Sequence, residues 1–237
     1  MDNFGEYRFS GIGHKIWDSS PYGSRYNFRS NKVLKTVLGE KIPMAHPAAA
    51  ALSDFIEKTH AIWARESDMK TRMEQTQALL TSLVKNPAIQ DSARNWPSTE
   101  GHKNLLLHTD EKYGFIINAV VRAPNRKGSV HDHSQAWVLY GLVEGTESLE
   151  RYDRLDDGSR PDYAEVKLSG VTIGQPGTVD LVPPFNIHAE QGGPGRSVAM
   201  IFRSEKLVGR ILQHGYDLTT GKVTERYGPT QVEYSLA

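Results

Sequence analysis

The pattern of apolar and polar positions divides the chain into three parts. Residues 1–40 are polar, with scattered aromatic side chains and no sustained apolar period, which predicts an N-terminal arm. In residues 41–98 the apolar side chains recur at helical spacing, so we expect helices that pack on the remaining domain. Residues 99–237 consist mainly of short apolar runs between turn residues, a pattern that is typical of β-strands.

Two helices are predicted in the second part. Pro47 suits the first position of a helix, and apolar residues from Leu52 to Trp63 follow it at helical spacing. A second helix is expected from about Asp68, and we expect it to stop at Asn86 and Pro87. Both helices have an apolar stripe, which indicates that they cover one side or edge of a sheet.

The third part predicts many short strands rather than alternating strands and helices. Gly and Pro turns separate the runs, which favours a sandwich or a barrel over a parallel α/β sheet. The predicted strands are Tyr113–Val121, Ala136–Val143, Ser148–Tyr152, Tyr163–Leu168, Thr178–Val182 and Ser197–Arg203.

Composition narrows the classes of function. The 28 basic and 28 acidic residues balance, so the net charge gives no reason to expect nucleic acid or an anionic membrane as partner. No apolar run approaches the roughly 20 residues that span a bilayer, and no signal pattern opens the chain, so we expect a cytoplasmic protein. The absence of cysteine excludes disulfides, thiolate metal ligands and a cysteine nucleophile.

A histidine pattern suggests a metal site. His131 and His133 are two residues apart, so on an extended strand both imidazoles project from the same face. His188 follows the proline-fixed segment Val182–Ile187, and only folding could bring it near the other two. Three neutral nitrogen donors suit Fe, Zn, Cu or Ni rather than Ca or Mg.

The residues around these histidines resemble the cupin superfamily. Its first motif corresponds to Gly128–Gly145, and its second to Gly177–His188. Cupins usually place a glutamate ligand four or five residues after the second histidine, where this chain has Trp137 and Val138. Loss of that carboxylate is typical of the cysteine-dioxygenase-like thiol dioxygenases, which hold Fe(II) with three histidines.

The resemblance implies a mainly β fold, namely a cupin-type double-stranded β-helix barrel with an N-terminal arm and flanking α-helices. The barrel would occupy residues 99–237, with the helices of residues 41–98 packed on it. By the same resemblance we expect a mononuclear non-haem iron dioxygenase with Fe(II) as cofactor, and O2 and a small anionic molecule as substrates. Because cupins often form dimers, the resemblance also suggests a homodimer.

Several positions depart from the thiol dioxygenase pattern. The arginine that binds the substrate carboxylate in that family corresponds to Lys103, which offers a point charge instead of a bidentate fork. The cysteine that is crosslinked in animal members corresponds to Val138. The Ser-His-Tyr relay falls near Val198, Met200 and Phe202, none of which can carry a proton. The sequence therefore keeps the metal ligands but not the substrate-binding residues, which argues against cysteine as substrate.

The remaining candidates surround the metal site. Substrate binding is predicted for Lys103, Arg122 and Phe185. Arg122 could bind substrate only if it faces inward, and we expect both Arg122 and Arg203 to be exposed at the surface. Tyr140 and Glu190 are candidate catalytic bases. Gln135 and Glu190 could orient a histidine ligand or lie in solvent, and His102 and His108 are expected at the surface or satisfied in the core.

Two other functions stay open. The same site with Zn, Ni or Mn could catalyse a redox-neutral isomerisation, elimination or C–C cleavage, with the metal as Lewis acid. Alternatively, the domain could bind a small molecule without catalysis, in which case we expect no metal or a cavity filled by side chains.

Overall fold

The computed structural model describes residues 46–206 and 212–236, so the predicted arm lies outside the described residues. Three helices come first: α1 (Pro47–Arg65), α2 (Met69–Val84) and α3 (Pro87–Ala93). The strands are β1 (Lys103–Thr109), β2 (Ile116–Arg122), β3 (Val138–Glu144), β4 (Glu147–Arg154), β5 (Val166–Gly174), β6 (Val179–Val182), β7 (Ile187–Gly192), β8 (Ser197–Arg203), β9 (Gln213–Tyr216), β10 (Val223–Arg226) and β11 (Thr230–Glu233).

Capping residues set the helix starts. The side chain of Asp68 accepts a hydrogen bond of 2.7 Å from the Thr71 amide at the start of α2, as expected for an acidic N-cap. Asn86 accepts from the Ala88 amide at 2.9 Å and begins α3, with Pro87 at its first position. The sequence predicted only an end at Asn86 and Pro87. The same pair also starts a helix, because proline is tolerated in a first turn.

The strands form a large sheet and two smaller ones. The large sheet has the order β11-β1-β2-β8-β3-β6, and β1 pairs with β11 in parallel. A three-stranded sheet has the order β5-β4-β7, and β9 and β10 form a hairpin. Isolated bridges join His131 to His188 of β7 and to Gly215 of β9, so the smaller sheets meet at the first histidine. This arrangement confirms the mainly β, cupin-type barrel with flanking helices.

The central strands β2, β3 and β8 are buried on both faces. On β8, the side chains of Val198, Met200 and Phe202 join the core that the helices cover, and the Phe202 ring packs against those of Phe55 and Trp63. The three positions matched to a proton relay therefore face the helices and not the barrel interior. The alternate positions of β8 face inward, because successive side chains point to opposite faces.

The last three strands were not predicted. Each has only four residues and a mixed polar composition, so no apolar alternation marks them. They matter for the site because the β9–β10 hairpin borders the loop that holds His131. Within the part of the chain that the structure describes, no helix has the length and apolar character needed to span a bilayer.

Candidate metal centre

Backbone hydrogen bonds fix the relative positions of two of the three histidines. The His131 amide donates to the His188 carbonyl and the His188 amide donates to the His131 carbonyl, both at 2.9 Å. The pair is thus an antiparallel hydrogen-bonded pair, whose side chains lie side by side. His133 approaches from the same segment, and one ring nitrogen of each histidine lies within 4.8 Å of the other two. The structure brings the three predicted ligands together.

His131 and His188 use the same device to orient their rings. Nδ1 of His131 lies 2.9 Å from the Ser129 carbonyl oxygen, and Nδ1 of His188 lies 2.9 Å from the Asn186 carbonyl oxygen. A carbonyl can only accept, so each Nδ1 carries the proton and each Nε2 presents a lone pair. Nε2 of His188 is buried without a hydrogen-bond partner. A buried, unpaired ring nitrogen of this kind fits a metal ligand.

His133 is oriented by two different side chains. Its Nδ1 contacts the amide of Gln213 and lies 3.3 Å from Nη1 of Arg203. Nε2 of Gln213 is the amide atom that faces this Nδ1. A 180° rotation of the amide would place Oε1 there instead, which would let Nδ1 donate and free Nε2 for a metal. Gln213 belongs to β9, so the hairpin that the sequence did not predict supports the third ligand.

The surroundings keep His131 and His133 neutral. Burial, aided by repulsion from His188, lowers the pKa of His131 to about 3. Burial and the nearby Arg203 lower the pKa of His133 well below its usual value. Neutral imidazole is the form that binds metal, so both residues have the required protonation state at neutral pH.

Asp132, between the two histidines, ties the site to the β9–β10 hairpin. It is 2 % exposed, and its carboxylate accepts from the Tyr216 hydroxyl at 2.7 Å and from Nδ1 of His214 at 3.0 Å. Burial alone would raise the pKa of Asp132, but the hydrogen bonds from Ser134, Tyr216 and His214 outweigh it and lower the pKa. Asp132 was missed because its role depends on pairing with a distant strand.

A cavity of about 270 Å³ opens beside the histidines. Besides the predicted ligands His131 and His133, it is lined by the four candidate catalytic residues, namely Lys103, Arg122, Tyr140 and Glu190. Phe185 does not line it: the side chain is 61 % exposed, on a backbone with φ +58°. The prediction that Phe185 walls the cavity is therefore wrong, because this left-handed residue lies on the outside of the turn before β7.

Other expectations also change. Arg122 has a side chain only 13 % exposed and Arg203 is 4 % exposed, so the expectation of surface exposure is wrong for both. Gln135 is exposed and does not line the cavity. His102 is exposed at the cavity wall, whereas His108 lies 3.5 Å from Asp110 and away from the cavity.

One polar network connects the cavity wall to His188. Oε1 of Glu190 lies 3.4 Å from Nε2 of His188, and Oε2 lies 3.6 Å from Nη2 of Arg122. Nε of Arg122 donates to the Tyr140 hydroxyl at 3.3 Å, and that hydroxyl donates to Glu147 at 2.8 Å. Glu147, which sequence reasoning missed, also accepts from Ser197 at 2.5 Å and is 1 % exposed.

The charges of this network follow from its contacts. Burial alone would raise the pKa of Glu190, but His188, His131 and Arg122 outweigh it and lower the pKa, so the carboxylate is ionised. Burial alone would lower the pKa of Arg122, but Tyr140, Glu190 and Glu147 outweigh it and raise the pKa. Burial raises the pKa of Tyr140 well above its usual value, so the phenol keeps its proton.

Comparison with known proteins gives weak matches to solved structures only. No protein-family model and no curated protein matches the sequence. Among solved structures, the cupin domain of Schizosaccharomyces pombe Cnp3 is 10 % identical (TM-score 0.34), and the match covers 44 % of this chain and 60 % of that one. A Klebsiella pneumoniae protein with a double-stranded β-helix domain is 11 % identical (TM-score 0.34), with 47 % and 80 % covered. An oxalate oxidase bound to glycolate, a substrate analogue, is 16 % identical (TM-score 0.37), with 48 % and 57 % covered.

Fold and site together define a cupin-type barrel that carries a three-histidine group able to hold a metal ion. The matches span less than two thirds of the Cnp3 domain and of the oxalate oxidase. At these identities, and with TM-scores below 0.5, the matches carry no argument about function. The chemistry of this chain therefore has to be argued from its own residues.

Proposed function

We propose that this protein is a metal-dependent cupin enzyme, and specifically a mononuclear non-haem iron dioxygenase that oxidises a small anionic molecule. The observation that carries the proposal is the convergence of three imidazoles, two of which, His131 and His133, line a cavity rich in basic residues. The donor set and the unpaired Nε2 of His188 fit a transition metal. Bound Fe(II) would supply the one-electron chemistry that O2 requires.

The protein residues would hold the ion and orient the substrate. Carbonyl groups keep a proton on Nδ1 of His131 and His188, which aims both Nε2 lone pairs at one point. Three neutral ligands would leave the full +2 charge of the ion in place, which favours an anionic donor such as thiolate, enolate or carboxylate. Arg203 and Lys103 on the cavity wall would add to that attraction.

Glu190 supports a second candidate function, redox-neutral catalysis with Zn, Ni or Mn as Lewis acid. Its carboxylate is ionised, 7 % exposed and 3.4 Å from Nε2 of His188, so it could accept a proton from a substrate in the cavity. Tyr140 is a poorer base, because its phenol already donates to Glu147. Glu190 thus distinguishes this second function from the first, in which no protein base is essential.

Oxygen uptake by the reconstituted protein tests the proposal. The full chain is loaded anaerobically with Fe(II) and supplied with a panel of thiols, diketones and phenolic acids, and O2 consumption is recorded. We expect uptake that depends on substrate, and none from zinc-loaded protein or from His188→Ala. Uptake that is independent of every substrate would refute the oxygenase. Substrate conversion by the zinc-loaded protein that Glu190→Gln abolishes would instead establish the Lewis-acid function.

A further inference from the structure

Arg226 is an unpredicted cation at the wall of the metal cavity. It lies on β10, and its Nη2 donates to the Ser129 hydroxyl at 2.7 Å. The Ser129 carbonyl in turn accepts from Nδ1 of His131. Nε of Arg226 is buried and has no hydrogen-bond partner. Ser129 therefore connects Arg226 to the ligand His131, and Nε of Arg226 makes no hydrogen bond with any described residue.

The neighbouring strand is shaped to admit this guanidinium. Gly215 of β9 is bridged to His131, and a Cβ atom at Gly215 would lie 3.3 Å from Cζ and 3.4 Å from Nε of Arg226. Such contacts are tighter than ordinary van der Waals contact, so a side chain at this position would press on the guanidinium. The glycine leaves room for Arg226 beside the metal ligands.

Arg203 provides a second guanidinium, beside a different ligand. It lies on β8, is 4 % exposed, and its Nη1 is 3.3 Å from Nδ1 of His133. Burial lowers its pKa to about 10, so it keeps its charge at neutral pH. Among residues 46–206 and 212–236, no carboxylate lies within 4 Å of a charged nitrogen of Arg203 or Arg226.

Other residues of the cavity wall add positive charges that no nearby carboxylate of the described residues neutralises. Lys103, Arg126 and Lys127 also line the wall, and none has an acidic partner within 4 Å in the described part of the chain. Glu190 is the acidic residue of the wall, and it faces Arg122 and His188. Lys103 and Lys127 are exposed, whereas Arg203 is buried and Arg126 and Arg226 are half-buried. Cations that are removed from water without a partner are unfavourable, so the three arginines favour a ligand that brings more than one negative charge.

We propose that the cavity selects a small organic acid with two anionic groups, one beside the metal near Arg203 and the second on the guanidinium of Arg226, which lines the cavity. The second group is a carboxylate or a phosphate, since a guanidinium binds either in bidentate fashion. A volume of about 270 Å³ restricts the ligand to metabolite size. The proposal rests on the proposed function, because it names the class of anionic substrate that the same site would take.

Calorimetric titration of zinc-loaded full-length protein tests this specificity without turnover. Butyrate is compared with succinate and glycolate with 2-phosphoglycolate, at constant ionic strength, so that each pair differs in the second anionic group. We expect each dianion to bind at least about tenfold more tightly than its partner, which corresponds to one charged hydrogen bond. The stronger of the two dianions identifies whether the second group is carboxylate or phosphate.

The variants assign the preference to Arg226. Arg226→Gln should reduce both dianions to the affinity of the monoanions and leave the monoanions unchanged, and Gly215→Ala should act in the same direction. Lys167→Gln is the matched control, because it removes one positive charge from the exposed strand β5. Affinities are expressed per zinc-loaded site, which separates ligand binding from any loss of metal.

Equal affinity for the two members of each pair in the unsubstituted protein would overturn the proposal. So would an equal loss for dianions and monoanions in Arg226→Gln. Failure of the proposed function has a different signature. A dianion preference without O2 uptake refutes the oxygenase but not the two-anion site, whereas O2 uptake with monoanions alone refutes the site but not the oxygenase.

Discussion

Two histidine clusters in this molecule show opposite chemistry. At the metal centre, backbone carbonyls accept from Nδ1 of His131 and His188, so that their Nε2 atoms carry lone pairs beside His133. In the second cluster, Nε2 of His60 pairs with Oδ2 of Asp110, and Nε2 of His108 lies 3.5 Å from the same oxygen. The three histidines of the first cluster could hold an ion between them. In the second cluster the Asp110 carboxylate already lies between the two histidines.

The difference shows that the partner of a histidine decides its role more than its burial does. Backbone carbonyls accept from Nδ1 of His131 and His188, which fixes the tautomer whose Nε2 carries a lone pair, and Glu190 approaches Nε2 of His188 only to 3.4 Å. At His60 the Asp110 carboxylate bonds Nε2 directly, which uses the nitrogen that would bind metal. The His60 ring also packs edge-on against Tyr113 and Phe115, at 5.5 and 5.8 Å between centroids. The second cluster therefore joins α1 to the sheet as a structural contact.

Removal of one ligand should produce the largest contrast between the clusters. His188→Ala is expected to weaken metal binding by more than about 100-fold, because it removes a metal ligand. Loss of a residue that only hydrogen-bonds to a ligand lowers metal affinity by about 10- to 100-fold. His60→Ala should leave metal content unchanged. Metal stoichiometry after reconstitution with Fe(II) or Zn(II) measures both, with circular dichroism to verify folding. Equal metal content in the two variants would refute the assignment of the site.

A smaller effect is expected from Gln213, which orients the ring of His133 without contacting the metal position itself. Gln213→Ala should lower metal affinity about 10- to 100-fold, because Nδ1 of His133 loses the partner that selects its tautomer. Gln77→Ala is the matched control, since the Gln77 amide donates to the Val179 carbonyl at 2.8 Å, in a helix–strand contact. Competition with a chromophoric chelator measures the two affinities. An unchanged affinity for Gln213→Ala would show that the barrel alone orients this ligand.

The second cluster should respond to pH through Asp110. Burial alone would raise the pKa of Asp110, but hydrogen bonds from His60, the Tyr113 amide and His108 outweigh it and lower the pKa. A carboxyl with a lowered folded-state pKa stabilises the protein above the unfolded pKa of about 3.9, and this contribution is lost as the pH falls through the folded value.

Asp110→Asn should therefore lower the free energy of unfolding by about 1–3 kcal/mol at pH 7 and by less at pH 3. Denaturant titrations of both proteins at the two pH values measure the difference. Asp54→Asn serves as control, because Asp54 is exposed and pairs with Lys58 at the surface, where an ion pair contributes under about 1 kcal/mol. A destabilisation of equal size at both pH values would contradict the ionised pair.

The sequence predicted the parts of the site that local patterns encode. The two-residue spacing predicted that His131 and His133 lie together, although they occupy a loop with an isolated bridge at His131 and not the expected strand, and the proline-fixed segment identified His188. Gln213 and Arg226 could not be predicted in this way, because they reach the site through the pairing of a polar hairpin with a distant loop. Arg122 and Arg203 were expected at the surface, since a charged residue at a strand end gives no local signal that it faces a cavity.

The fold was predictable to a similar degree. Apolar runs predicted the core strands, and Pro47 and Asp68 marked the helix starts. The strands β9, β10 and β11 were not predicted, since their stability comes from partners across the barrel and not from their own composition. Phe185 was misplaced because a sequence pattern does not reveal a left-handed backbone at a bulky residue.

The mutual backbone hydrogen bonds of His131 and His188 have a consequence for metal identity. A ladder pair holds the two rings at a separation that is set before any ion arrives, so an entering ion need not organise them. Such a prearranged set of neutral nitrogens would follow the general affinity order, in which Cu²⁺ and Zn²⁺ bind more tightly than Fe²⁺. The ion that occupies the site would then be decided by which metals are available to the folded protein, and purification from media of defined metal content would reveal that dependence.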